Sequence, residues 1–130
     1  RRLIQEQLPD LVMTAHLFNS NWDREYPATL SREVVNTMLR EDLGFGGVII
    51  SDDMQMGAIV ENYTLEKGIQ RAVEAGIDIL LFANNSSYDP ESASRAFNIL
   101  RDLVNRGALS PDRIQESYLR ILKLKENLIK

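Results

Sequence analysis

The chain has 130 residues, of which 44% are hydrophobic and 26% charged, with a formal net charge of −4 and no cysteine. These values suit one soluble globular domain without a membrane span, and the spread of basic residues along the chain argues against a nucleic-acid partner. The lack of cysteine excludes disulfides, thiolate catalysis and cysteine-ligated metal sites. Composition leaves the compartment open, since a cytoplasmic, periplasmic or secreted protein can have these values.

Three apolar runs predict three strands along the chain. They cover Leu11–Ala15, Val48–Ile50 and Ile77–Phe82. Because each run is almost continuously apolar, we expect strands that are buried on both faces, as strands of parallel sheets are.

Helices are predicted between and after these strands. Capping residues and prolines place the helix starts at Ser31, Thr64, Asp89 and Ser110, and glycines place the first three ends at Gly44, Gly76 and Gly107. The stretch from Met54 to Tyr63 is predicted to be a loop. Repeated β-α units predict an α/β fold with a parallel sheet and right-handed crossovers. Three strands cannot close a barrel, so the pattern fits a piece of a (β/α)8 barrel or of a doubly wound sheet. No glycine-rich nucleotide motif supports the nucleotide-binding form of the second.

A long polar segment, residues 17–28, follows the first strand and contains Trp22 and Tyr26. Segments of this length often form lids or binding loops. The two aromatic rings could stack on the apolar face of a sugar, or they could fasten the segment to the body of the domain. The sequence leaves both interpretations open.

Two adjacent carboxylates, Asp52 and Asp53, follow the second strand. The carboxyl end of a parallel strand is where α/β proteins place ligands and catalytic groups. Adjacent side chains on extended backbone point apart, so at most one of the two faces a pocket. A structural role in binding loop amides competes with a role as nucleophile, general acid or base, or metal ligand.

Other polar residues follow the neighbouring strands. His16, the only histidine, ends the first strand, and Asn84 and Asn85 end the third. Each of these residues fits a ligand-binding role or a structural one. One histidine and scattered carboxylates show no metal-ligand spacing, so neither a metal nor a cofactor is predicted.

The segment Leu43–Met54, with the sequence LGFGGVIISDDM, resembles glycoside hydrolase family three. In that family a G-F-x-G-x-x-x-S-D segment forms the seventh strand of a (β/α)8 barrel, and the aspartate after the serine is the catalytic nucleophile. The resemblance implies this role for Asp52. Residues 12–16 resemble the sixth strand and residues 75–80 the eighth, so the chain is expected to be the C-terminal three β-α units of the barrel.

The residues after Asp52 are similar to the β-N-acetylhexosaminidase branch of that family, with Asp53-Met54 and then M-G-A at 56–58. This similarity implies retaining hydrolysis of terminal β-linked N-acetylglucosamine, including peptidoglycan fragments as substrates. It also implies substrate-binding roles for His16, Asp53 and Met54. The alternatives are a β-glucosidase of the same family and a non-catalytic carbohydrate-binding or scaffold piece.

That branch takes its acid/base group from a histidine-aspartate pair on an earlier loop, and neither that pair nor the K-H-F-P-G-H-G type segment occurs in these residues. We therefore expect residues 1–130 to be the C-terminal portion of a catalytic barrel and to be inactive alone. Residues 1–6 look like the tail of an amphipathic helix, which predicts a start inside a longer protein. Unpaired strand edges and an uncovered sheet face predict self-association.

Overall fold

The computed structural model describes residues 1–85 and 88–128. A parallel sheet of three strands lies at its centre, in the order β1 (Leu11–Met13), β2 (Val48–Asp53) and β3 (Ile79–Leu81). The helical elements of this part of the chain are α1 (Arg2–Gln5), a 3₁₀ turn (Ala28–Leu30), a π-helix (Glu33–Asp42), α2 (Gly57–Val60), α3 (Leu65–Ala75), α4 (Ser92–Asn105) and α5 (Pro111–Leu128). Parallel strands with connecting helices confirm the predicted α/β fold class.

The two faces of the sheet have different surroundings. One face packs against the helices, where Ile49 is fully buried and Val12 and Leu80 join the apolar core. On the other face, Leu11 and Met13 remain 38% and 55% exposed. We call this second face the open face. The burial of β2 alternates in the same way after Ile49, with every second residue more exposed.

The pairing of β2 with β3 contains a register shift. Ile50 lies opposite Ile79 and Asp53 lies opposite Leu81, so β2 has one more residue than β3 between these pairs. This extra residue is a β-bulge, a feature that bends a strand and redirects its side chains. It lies at Ser51 and Asp52, the last residues before the end of the strand.

Helix boundaries follow the predicted signals at several places. The Thr64 hydroxyl accepts a hydrogen bond from the Lys67 N–H at 3.2 Å and caps α3, and Gly76 ends that helix with a left-handed φ of 118°. The Ser31 hydroxyl accepts from the Val34 N–H at 3.2 Å, as expected for the start of the next helix. That helix is wound as a π-helix, and the Leu43 N–H donates to the Met38 carbonyl five residues back.

Some predicted boundaries were wrong. The predicted first and third strands are longer than β1 and β3, and the predicted loop from Met54 to Tyr63 contains α2. The third strand starts late because the Ile49 N–H donates to the Asp78 carboxylate at 3.0 Å instead of to a backbone carbonyl. The fourth helix begins at Ser92, three residues after the predicted start at Asp89.

Gly47, just before β2, allows its backbone to lie close to Asp10 and to the Phe45 ring. A Cβ atom at Gly47 would lie 2.6 Å from the Asp10 carbonyl oxygen and from the Phe45 ring. No larger residue fits there without displacing backbone. The same glycine carbonyl accepts a hydrogen bond from Arg40 at 2.6 Å, which ties the start of β2 to the π-helix.

No helix among residues 1–85 and 88–128 has both the length and the apolar character needed to cross a membrane.

Candidate active site

Asp52 lies at the carboxyl end of β2 and belongs to the more exposed set of alternating residues. Its Oδ1 accepts a hydrogen bond from the Asp53 N–H at 2.8 Å. Among the ion pairs of the described residues, none includes Asp52. A half-buried carboxylate with one backbone donor retains lone pairs for an incoming group.

At the bulge, the Ser51 side chain takes the place of a backbone carbonyl as the acceptor for an amide of β3. The Leu81 N–H donates to the Ser51 hydroxyl at 2.9 Å, while the Leu81 carbonyl accepts from the Met54 N–H at 2.9 Å. Because Ser51 is fully buried, an unpaired amide at this point would carry a desolvation cost. The serine thus lets β2 take an extra residue without leaving the neighbouring strand unsatisfied.

The Asp53 side chain also satisfies backbone amides, at the positions that follow β2 and β3. It is buried, and its Oδ1 accepts from the N–H groups of Gln55 at 3.0 Å and Ala83 at 3.1 Å. The two aspartates therefore have different surroundings, since Asp53 binds loop amides while Asp52 lies at the more exposed position. The burial of the two side chains alternates, as predicted for adjacent residues on extended backbone.

His16 bridges the end of the first strand region and the end of β2. Its Nε2 lies 2.9 Å from the Asp53 carbonyl oxygen, and its Nδ1 lies 3.0 Å from the Thr29 hydroxyl. A carbonyl oxygen only accepts, so the Nε2 carries the proton. Both ring nitrogens of this half-buried histidine are thus engaged by the protein.

The remaining predicted site residues have supporting contacts. Met54 is fully buried in the core cluster, and a Cβ placed on Gly68 of α3 would lie 3.5 Å from its Cε. Its side chain therefore packs behind the site instead of facing a ligand. Asn84, at a left-handed φ of 56°, exchanges hydrogen bonds with Gln55 at 2.9 and 3.1 Å. Asn84 is thereby part of a turn, one of the two roles expected for it, and Asn85 is exposed.

The long segment after β1 is fastened by an aromatic and charged cluster. The Tyr26 and Tyr63 rings stack with centroids 6.2 Å apart, and the Arg71 guanidinium lies 3.8 Å from the centroid of the Tyr26 ring. Tyr26 therefore fastens the segment to the domain. Trp22 is 49% exposed.

Asp23 orders the tip of the same segment. Burial opposes its ionisation, but hydrogen bonds from the Ser31 hydroxyl and from the N–H groups of Glu25 and Tyr26 outweigh burial. Together with the nearby Arg71 they hold the pKa of Asp23 below its ordinary value.

Sequence comparison identifies the family to which this site belongs. Residues 1–124 match the sequence model described as the glycosyl hydrolase family 3 N terminal domain. The chain belongs to glycosyl hydrolase family 3. The resemblance carried by residues 43–54 is thereby confirmed, and the three parallel strands are part of the barrel of this family.

Relatives in glycosyl hydrolase family 3 share much of this chain. A protein of Cellulomonas fimi named beta-N-acetylglucosaminidase/beta-glucosidase is 31% identical over 102 residues, which is 78% of this chain and 17% of that protein. A beta-hexosaminidase of Alkalilimnicola ehrlichii is 38% identical over 90 residues, or 69% of this chain and 25% of that protein. The chain thus spans a quarter or less of the length of these relatives.

A solved structure has the same fold over this region. The family 3 β-N-acetylglucosaminidase of Paenibacillus sp. str. FPU-7 superposes with a TM-score of 0.82 at 38% identity, covering 90% of this chain and 22% of that one. The three-stranded sheet of this chain thus has a counterpart within the longer chain of that enzyme.

Proposed function

We propose that Asp52 is the nucleophile of a retaining glycoside hydrolase that removes terminal β-linked N-acetylglucosamine. The observation that supports this role most strongly is the different placement of two adjacent carboxylates. Asp53 is buried and binds two backbone amides, whereas Asp52 occupies the more exposed position with a single donor. A nucleophilic carboxylate needs this availability at the carboxyl end of a barrel strand.

The proposed reaction has two displacement steps. An Asp52 oxygen attacks the anomeric carbon while the glycosidic C–O bond breaks, and an acid protonates the leaving oxygen. Water then attacks the glycosyl ester, which releases the sugar and restores the carboxylate. In retaining enzymes the two catalytic groups flank the sugar about 5–5.5 Å apart. Because Asp53 is buried, and because these residues contain neither the histidine-aspartate pair nor the K-H-F-P-G-H-G type segment, we place the acid/base group outside these 130 residues.

The names of relatives support N-acetylglucosaminides as the substrate class. The Cellulomonas fimi protein is named for both N-acetylglucosaminidase and β-glucosidase activity. We therefore keep β-glucosidase as the second candidate. Within the first class, we propose peptidoglycan fragments as natural substrates.

We also propose that residues 1–130 form the last three β-α units of a longer catalytic barrel and that the isolated chain is inactive. Two observations support this proposal. The chain covers only a quarter or less of the length of its relatives, and Leu11 and Met13 expose apolar surface on the sheet. Without the other barrel strands, we expect the open face and the strand edges to pair between copies. A non-catalytic carbohydrate-binding or scaffold role is the alternative outside enzymes.

The test uses the longer protein that contains these residues, with 4-nitrophenyl N-acetyl-β-glucosaminide and the matching β-glucoside. We expect hydrolysis of the first compound at higher kcat/KM. Mass spectrometry of protein quenched during turnover should find one N-acetylglucosaminyl unit on the peptide that contains Asp52. A sugar adduct on another peptide would overturn the nucleophile assignment, and binding of the glycoside without turnover would support the non-catalytic alternative.

A matched experiment uses the 130 residues alone. We expect no turnover above background and a dimer or larger species in light scattering. Rapid turnover by this isolated chain would contradict the proposal that its catalytic partner lies elsewhere. A monomer at micromolar concentration would contradict the proposed self-association.

A further inference from the structure

We infer that His16 and Thr29 are a positioning pair for the nucleophile, and that His16 acts through the backbone of β2 without touching the sugar. This inference rests on the proposed role of Asp52. It begins from the contacts of the imidazole, because each of its nitrogens already has a protein partner at hydrogen-bond distance. The ring is therefore a bridge between two parts of the fold.

The direction of each hydrogen bond follows from the acceptor at one end. The Asp53 carbonyl oxygen, 2.9 Å from Nε2, accepts the proton of that nitrogen. In a neutral ring Nδ1 is then an acceptor, so the Thr29 hydroxyl must donate to it. Thr29 has one hydroxyl proton, so Thr14 donates to Thr29 across their 2.9 Å contact. The Ile50 carbonyl oxygen, 3.4 Å from the Thr14 hydroxyl, is the longer and competing acceptor of the same proton.

Burial makes this chain of hydrogen bonds specific. Thr29 is fully buried, so its hydroxyl has no water to replace a lost partner. Substituting one member would leave the next donor or acceptor unsatisfied. The Asp53 carbonyl thus selects the tautomer, and the buried hydroxyl of Thr29 fixes the orientation of the ring.

The target of the bridge is the carbonyl of Asp53, in the peptide group that joins Asp53 to Met54. The Asp53 carbonyl belongs to the residue that follows Asp52, and the Asp53 N–H donates to the Asp52 carboxylate at 2.8 Å. His16 therefore holds the carbonyl of Asp53, and the N–H of the same residue orients the Asp52 carboxylate. On the opposite side, the Asp53 carboxylate is bound to the Ala83 N–H, so this residue is held from both directions.

Positioning of this kind acts on the rate of the chemical step more than on sugar binding. Small displacements of a reacting group cost large factors in rate, up to about 100-fold for 1 Å. A direct sugar contact would instead weaken ground-state binding. The two roles are thus separated by comparing kcat with the inhibition constant Ki of N-acetylglucosamine.

The experiment uses the longer protein with the variants His16→Phe, His16→Gln, Thr29→Val and Thr29→Ser. We expect His16→Phe to lower kcat by about 10- to 100-fold while Ki changes by less than about 2-fold. His16→Gln keeps an N–H for the Asp53 carbonyl and should recover most of kcat. Thr29→Val should lower kcat in the same direction, and Thr29→Ser should restore it.

A double-mutant cycle tests whether the two residues act as one unit. Thr29→Val should have little further effect in the His16→Phe background, because the ring nitrogen that it serves is gone. Additive effects, an unchanged kcat in folded His16→Phe, or a Ki that rises together with the loss of kcat would overturn the inference.

A spectroscopic measurement separates this inference from the proposed function. In ¹⁵N-histidine-labelled protein, the signals that His16→Gln removes should show a protonated Nε2 and an unprotonated Nδ1, and Thr29→Val should change them. This result does not depend on turnover. If Asp52→Asn retained full hydrolysis while the tautomer was as expected, the nucleophile assignment would fail and the bridge itself would stand. A protonated Nδ1 in the neutral ring would refute the bridge whatever the kinetics.

Discussion

The two ends of the sheet each contain a partly or fully buried aspartate, and the two residues have opposite surroundings. At the carboxyl end, Asp52 accepts one backbone hydrogen bond. At the amino end, the Asp78 side chain is 0% exposed and is paired with Arg40, Arg113 and Arg120. The two carboxylates differ most in the number of charged partners, with three arginines around Asp78 and, among the described residues, no ion pair at Asp52.

The Asp78 site joins elements that are distant in sequence. One oxygen accepts from Arg40 of the π-helix at 2.5 Å and from the Ile49 N–H at 3.0 Å. The other accepts from the Ser117 hydroxyl at 2.7 Å and from Arg120 at 3.0 Å, both in α5. Burial lowers the pKa of Arg40, and Asp78 opposes this change. All of these contacts hold the last helix and the π-helix against the amino ends of the strands.

The largest effect on activity should come from Asp52. Asp52→Asn removes the charge of the proposed nucleophile while keeping the shape of the side chain, so we expect kcat of the longer protein to fall by at least about 10³-fold. Thermal unfolding should change little. Asp53→Asn is the matched control, because it removes the same charge one residue away and leaves an oxygen for the Gln55 and Ala83 amides. A larger loss of kcat in Asp53→Asn would reverse the assignment of the two residues.

The largest effect on stability should come from Asp78. Asp78→Asn leaves three guanidinium groups around a neutral amide, and breaking a buried ion pair in this way costs about 3–5 kcal/mol. Urea unfolding should show this loss, while kcat per folded molecule stays near that of the wild type. Asp42→Asn, at an exposed position of the π-helix, changes net charge equally and serves as the control. Equal urea midpoints for the two variants would remove the contrast between the two ends of the sheet.

A smaller effect is expected at Asp23, because its carboxylate orders the long segment near the surface. Its pKa is lowered in the folded protein, so it stabilises the fold above the pKa of the unfolded chain, roughly 4. This stabilisation is lost as the pH falls through the lower, folded value. Asp23→Asn should therefore reduce the urea midpoint at neutral pH and converge with the wild type in acid. A constant difference at every pH would assign the effect to the amide substitution itself.

The sequence predicted the position of β2 better than its geometry. The apolar run Val48–Ile50 identified the strand, because an apolar run is a local feature of the sequence. The predicted end at Ile50 was wrong, since β2 continues through Asp53. Alternation also predicted that the two aspartates point apart. The bulge was missed, because it depends on the register between β2 and β3, and no local pattern records the length of the partner strand.

Contacts between residues distant in sequence explain the other features of the structure that the sequence did not predict. The arginines around Asp78 lie 35 to 42 residues from it along the chain, and a single sequence does not show which of its arginines meet there. The role of His16 is a similar case. Its position at a strand end suggested a ligand contact, whereas the structure shows both nitrogens engaged by Thr29 and the Asp53 carbonyl. Thr29 itself lacked any signal in the sequence, since nothing local pairs it with a histidine 13 residues earlier.

The number of residues in β2 determines which of the two aspartates lies on each face of the sheet. Side chains on a strand alternate between the two faces, so a change of one residue reverses every side chain beyond it. Deleting Ser51 would turn Asp52 toward the helices and bring Asp53 to its former position. The two aspartates would exchange surroundings although both were still present. In this family, an alignment that matches residue types but shifts the segment by one position would therefore describe a different site.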